Sequence, residues 1–119
     1  MNQVAQNMRE AFDVALSVDG DHHEFAFADG CTPNGRIYAR IKVLWVRDIT
    51  SYLHLHSHDY NSVVYHADKI LMMRARDVPD NAHLFSGDYL DADETSYKII
   101  SARLKDELWH LELSVIGTT

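Results

Sequence analysis

The stretch from Lys69 to Ile116 constrains this chain most. It holds four short apolar runs: Lys69-Ile-Leu-Met-Met-Arg-Ala-Arg-Asp-Val-Pro79, Tyr89-Leu90 behind Ser86-Gly87-Asp88, Ser96-Tyr-Lys-Ile-Ile100, and Leu108-Trp-His-Leu-Glu-Leu-Ser-Val-Ile116. Turn residues separate them: Asp77 and Pro79 in the first gap, Asp91 to Glu94 in the second, Lys105-Asp106-Glu107 in the third. Short apolar runs bounded this way read as consecutive β-strands, and gaps this short make neighbours antiparallel, so the last three runs are expected to form a meander. In the last run Trp109, Leu111, Leu113 and Val115 share one parity and His110, Glu112 and Ser114 the other. Successive strand side chains point to opposite faces, which assigns the first set to the interior. Tyr97, Ile99 and Ile100 split less cleanly, as in a strand covered on both faces.

Upstream, Val4, Met8, Ala11, Phe12, Ala15 and Leu16 recur at helical spacing and predict a helix over residues 2–17, with Asn2 as its cap. Asp19-Gly20 stops it, and Gly20 suits a left-handed C-terminal position. His22 to Ala28 reads as a strand with Phe25 and Phe27 on one side, and Asp29-Gly30 and Pro33-Asn34-Gly35 are turn signals. Ile37, Ala39, Ile41, Val43 and Trp45 alternate with polar residues in a long strand from Arg36 to Arg47. Residues 48–66 then read as one long loop, a place where function concentrates. The expected architecture is mainly β with an N-terminal helix (α+β). It is a single domain over residues 1–119, a small antiparallel β-barrel or sandwich over about 22–116 carrying that loop.

The totals exclude several classes. With 119 residues, 46% hydrophobic and 24% charged, the chain suits one domain with one core. A formal charge of −7 without a basic run argues against gripping nucleic acid; Arg36, Arg40 and Lys42 read as a solvated strand face. Cys31 is the sole cysteine, which leaves no internal disulfide. No run has the length of a membrane span and the N-terminus carries no secretory pattern, so maturation in a cytoplasm is expected.

His54, His56 and His58 recur at a spacing of two, with His66 beyond. On a strand they share a face and resemble a metal-binding set, as in a cupin-like enzyme, but the glycines and glutamate that accompany such a pair in cupins are missing. The expectation is a polar loop with no cofactor, metal or catalytic group. Asp91, Asp93 and Glu94 belong in a turn as capping and solubilising residues, and His22-His23 is expected to face water. Met72 and Met73 fall on opposite faces of one strand as core fillers.

The pieces Leu71-Met-Met-Arg-Ala-Arg-Asp-Val78, Gly87-Asp-Tyr-Leu90 and Tyr97-Lys-Ile99, following a helix, two strands and a long loop, resemble the small head–tail joining proteins of tailed phages. This is the lambda-type attachment and head-closure (stopper) group. The resemblance implies a non-enzymatic β-barrel in the virion neck, assembled in the host cytoplasm. It implies a ring, hexamer or dodecamer, between a portal or connector/adaptor protein and a tail terminator or tail tube protein, with DNA passing through the channel. It places the partner surface in the loop, at Tyr52, His54, His56, His58, Asp59, Tyr60 and Asn61. The alternatives are the metal-dependent barrel enzyme and another neck part, such as a tail terminator.

Overall fold

The computed structural model describes residues 3–32, 35–46 and 67–118. Helix α1 (Gln3–Asp19) is followed by six strands: β1 (Asp21–Ala28), β2 (Arg36–Trp45), β3 (Lys69–Arg74), β4 (Tyr89–Ala92), β5 (Thr95–Lys105) and β6 (Leu108–Thr118). All neighbours pair antiparallel in a closed barrel of order β1-β2-β3-β6-β5-β4. The meander β4-β5-β6 forms as the short gaps require.

Alternation builds the interior. Phe25 and Phe27 of β1 stack with ring centroids 5.5 Å apart, and they share one core with Ile41 and Val43, Leu71 and Met73, Leu90 and Ala92, Tyr97 and Ile99, and Leu111 and Leu113. Trp109 is half-buried against this core from inside the barrel. A second, smaller cluster lies outside the barrel wall, where Phe12 and Leu16 of α1 meet Leu108, Leu44 and Met72. The two methionines do fall on opposite faces, Met73 inside and Met72 beneath the helix. Ala11, expected on the buried stripe, is exposed. The turn at Phe12 and Leu16 suffices to cover the wall.

Four strand-level expectations need correction. The unclean split in β5 comes from a bulge: Ile99 pairs with Leu113 but Ser101 with Glu112, so Ile100 is the extra residue. One added residue reverses the faces, and the core-facing side moves from Tyr97 and Ile99 to Ala102. A second irregularity pairs Ser96 with Gly117 and Tyr97 with Val115, leaving Ile116 extra. Val115 therefore lies beyond the last core layer and is 43% exposed, although its parity is Leu113's. His110 and Glu112, on the parity assigned to solvent, are buried. Finally, β3 stops at Arg74, and Ala75–Asp77 form a 3₁₀ turn.

Gly20 ends the helix for a different reason from the one expected. Its φ is not in the left-handed region; the positive-φ glycines are Gly30 and Gly87. Its N–H donates to the Leu16 carbonyl at 2.9 Å, and a Cβ there would stand 2.3 Å from that oxygen. The glycine permits a close approach of backbone to backbone.

Two substitutions in β6 separate core from rim. Leu111→Ala is expected to cost about 2–5 kcal/mol, while Val115→Ser should stay within about 0.5 kcal/mol. Urea unfolding of both variants measures this, and equal losses would show that the strand's faces are misassigned.

Candidate functional site

The polar chemistry collects at the two ends of one seam. Strands β1 and β4 pair over only three positions, Phe25 with Ala92, Ala26 with Asp91 and Phe27 with Leu90. Beyond Ala92 the chain turns through Asp93, whose φ of 55° is the left-handed conformation that aspartate tolerates better than most residues. The Asp93 N–H donates to the Glu24 carbonyl at 2.8 Å, and its Oδ1 accepts from the Glu24 N–H at 3.1 Å. Its Oδ2 lies 2.5 Å from Nδ1 of His23. The expected turn-capping role of this acidic cluster is thus carried by Asp93, while Asp91 accepts from the Ser96 hydroxyl at 2.6 Å.

His23 does not simply face water as expected. It shares the interior parity of Phe25 and Phe27, and its Nε2 accepts from the indole N–H of Trp45 at 3.1 Å. Trp45 in turn lies 5.9 Å from the Tyr97 ring, and the Lys69 ammonium sits 5.1 Å from its centroid, a cation–π contact. His22, one residue earlier, is exposed.

A second His–Asp pair stands at the opposite end of the seam. The His83 N–H donates to the Ala28 carbonyl at 2.8 Å, which bridges the loop before β4 to the end of β1. Nδ1 of His83 lies 2.5 Å from Oδ2 of Asp88, which also accepts from the Phe85 N–H at 2.8 Å. The His83 ring packs at 4.2 Å against Phe85 and so closely on Gly30 that a Cβ there would meet it at 2.6 Å. Gly30, at φ 74°, is required on both counts. Around this pair is an open cleft of about 410 Å³ lined by Cys31, Arg36 and Tyr89 among others. Asp29 shapes its rim by accepting from the N–H groups of Cys31 and Thr32, both at 2.9 Å. A larger cleft of about 530 Å³ runs between α1 and the barrel end, with Asp13, Arg74 and Arg76 in its walls. Arg74 is engaged there, donating from Nε to Asp77 at 2.8 Å and reaching Asp13 at 3.5 Å.

Among the described residues two carboxylates are shifted. Asp93 is held below the ordinary 3.8, first by its hydrogen bond from His23, then by the Glu24 N–H, with His23 and Arg40 charge adding. Asp29 is lowered by the Thr32 and Cys31 backbone donors.

Tyr52, His54, His56, His58, Asp59, Tyr60 and Asn61, the partner surface expected from sequence and including the candidate metal set, lie outside the described residues. Among the described residues no group of three His, Cys, Asp or Glu side chains is placed to hold a metal ion, and no helix is long and apolar enough to cross a membrane. Sequence reasoning missed both His–Asp pairs. A signal was present for one of them, since Asp88 closes the Ser86-Gly87-Asp88 turn motif and His83 stands shortly before it. His23 and Asp93 are 70 residues apart and gave none. The chain matches no family model, no curated protein and no solved structure.

The Asp93 shift sets the direction of a pH effect. Its folded-state pKa is depressed, so its contribution is complete above the unfolded value and is lost as pH falls through the folded one. Asp93→Asn should therefore lower the urea midpoint at about pH 5, and the gap from the parent should close towards about pH 2.5. A gap that stays constant across this range would remove the carboxylate charge from the account.

Proposed function

We propose that this chain is a structural subunit of the tailed-phage neck, joining the DNA-filled head to the tail as one member of a ring. The observation that carries it is a small closed barrel, with a helix laid on its wall, that leaves large apolar side chains in solvent. Val14 and Val18, one turn apart on the outer side of α1, are 65% and 76% exposed. Phe85 and Tyr89 stand out at one end of the barrel, and Val115 and Ile116 at the other. Exposed apolar groups at several separate places on a small domain fit a subunit with more than one neighbour.

The resemblance supports the same reading. Leu71 to Val78 covers most of β3 and its 3₁₀ turn, Gly87 to Leu90 enters β4, and Tyr97 to Ile99 lies in β5, so the matching pieces fall on three strands of the barrel, with β6 between β3 and the other two. In this proposal one face meets the portal or connector side and another the tail side, with residues 52–61 contributing to the joining surface. The net charge of −7 suits a channel through which DNA slides without being gripped. No reaction is assigned to the chain.

The test is genetic. Removing the gene from the genome that carries it should leave filled heads and finished tails that do not unite, and adding the purified protein to that mixture should restore infectious particles. A normal particle yield from the deletion overturns the proposal. Imaging of restored particles locates the subunit at the head-proximal or tail-proximal ring, which separates a stopper from a tail terminator.

A further inference from the structure

We propose that His23, Asp93 and Trp45 form a proton-operated latch at the barrel rim, in which protonation of His23 releases the Trp45 indole. The inference rests on geometry alone and does not depend on a role in the phage neck.

Both imidazole nitrogens are committed. An indole N–H is a donor only, so Nε2 of His23, 3.1 Å from it, must present its lone pair. The ring proton then sits on Nδ1 and is donated to Asp93 Oδ2 at 2.5 Å. This is the neutral tautomer, and it satisfies both neighbours. A second proton can go only onto Nε2. His23 would then present N–H groups at both nitrogens, one aimed at the indole N–H. The bond to Trp45 is lost, while the bond to Asp93 becomes a charged pair. Proton uptake thus trades one contact for the other.

The released residue is well placed to transmit this change. Trp45 is the last residue of β2 and pairs with Leu71 in the two-position contact between β2 and β3. The charged and titratable groups around the latch come from every side. Asp93 stands on the β4–β5 turn, with Arg40 of β2 acting on its charge and paired to Glu24 of β1 at 3.5 Å. Lys69 of β3 lies over Trp45, and Tyr97 of β5 is beside it. Further round the rim Asp68 accepts from the Val115 N–H at 2.9 Å.

Nuclear magnetic resonance of the full chain tests the latch through the indole Nε1–H signal of Trp45, told apart from that of Trp109 by a Trp109→Phe variant. Between about pH 8 and pH 5 the Trp45 signal should move towards a free indole position and exchange faster with water, in step with the His23 ring carbons. In His23→Gln the signal should not titrate. In Asp93→Asn the Trp45 signal and the His23 ring carbons should still move together; this variant carries the test if His23→Gln does not fold. A Trp45 signal that stays fixed while His23 titrates overturns the latch. So does a titration that persists in His23→Gln, or a Trp45 signal that parts from the His23 ring carbons in Asp93→Asn.

Discussion

The barrel depends on a seam three residue pairs long. Three of the other ladders follow from local chemistry, since β4-β5 and β5-β6 are hairpins and β1-β2 closes over a short loop. Closure requires β1 to meet β4, which is more than sixty residues away, and Phe25, Ala26 and Phe27 alone make the register. Three pairs on their own would fray, because a short ladder gains few bonds against the entropy of closing a long loop. Each end is therefore extended by side chains. Asp93 continues the ladder past Ala92 with two bonds to the Glu24 backbone, and His83 continues it past Phe27 with a bond to Ala28. In both cases a carboxylate fixes an imidazole, and the pair ties a turn to the strand. The two His–Asp pairs are best understood first as staples of this seam.

The barrel has a second weak place, between β2 and β3, where the register covers Leu44 with Met72 and Trp45 with Leu71, continued by the Val46 N–H to the Ile70 carbonyl. Here the reinforcement is apolar. Leu44 and Met72, which face outward across that short ladder, are covered by Phe12 and Leu16 of α1. The helix thus acts as a strap over the shorter of the two seams. Without it, the outward faces of β2, β3 and β6 would present Leu44, Met72 and Leu108 to water. The position of α1 follows from where the sheet most needs cover.

Periodicity carried much of this into the sequence. The alternation from Ile37 to Trp45 and from Trp109 to Leu113 gave strand faces correctly, and the helix stripe gave Phe12 and Leu16. What it could not carry were the insertions of one residue at Ile100 and Ile116, since a bulge changes parity without leaving a compositional mark. The burial of His110 and Glu112 was hidden for a related reason: polar residues at alternate positions of a strand look solvated in any local window. The seam contacts were hidden by distance. His23 meets Asp93 across 70 positions and Trp45 across 22, and nothing in a local window couples them. Gly20 was recognised as a stop but for the wrong geometry, because a close approach and a left-handed turn both select glycine.

Closure also governs how such a subunit can associate. An open sheet can recruit a neighbour through unpaired backbone at its edge, but a closed barrel has no such edge to offer. Association must then use side chains on faces and rims. That is where the exposed apolar residues are: Val14 and Val18 on the helix, Phe85 and Tyr89 at one rim, Val115 and Ile116 at the other. The strap that protects the β2–β3 seam has one buried side and one exposed apolar side, so a partner docked on Val14 and Val18 would press it against the wall it covers. A partner on the rim at Val115 would bear on Tyr97, its register partner, and through Tyr97 on Trp45. The proposed joining surface at Val115 and the proposed latch therefore share Tyr97 and Trp45, and contact at that rim and proton uptake at His23 would act on the same indole.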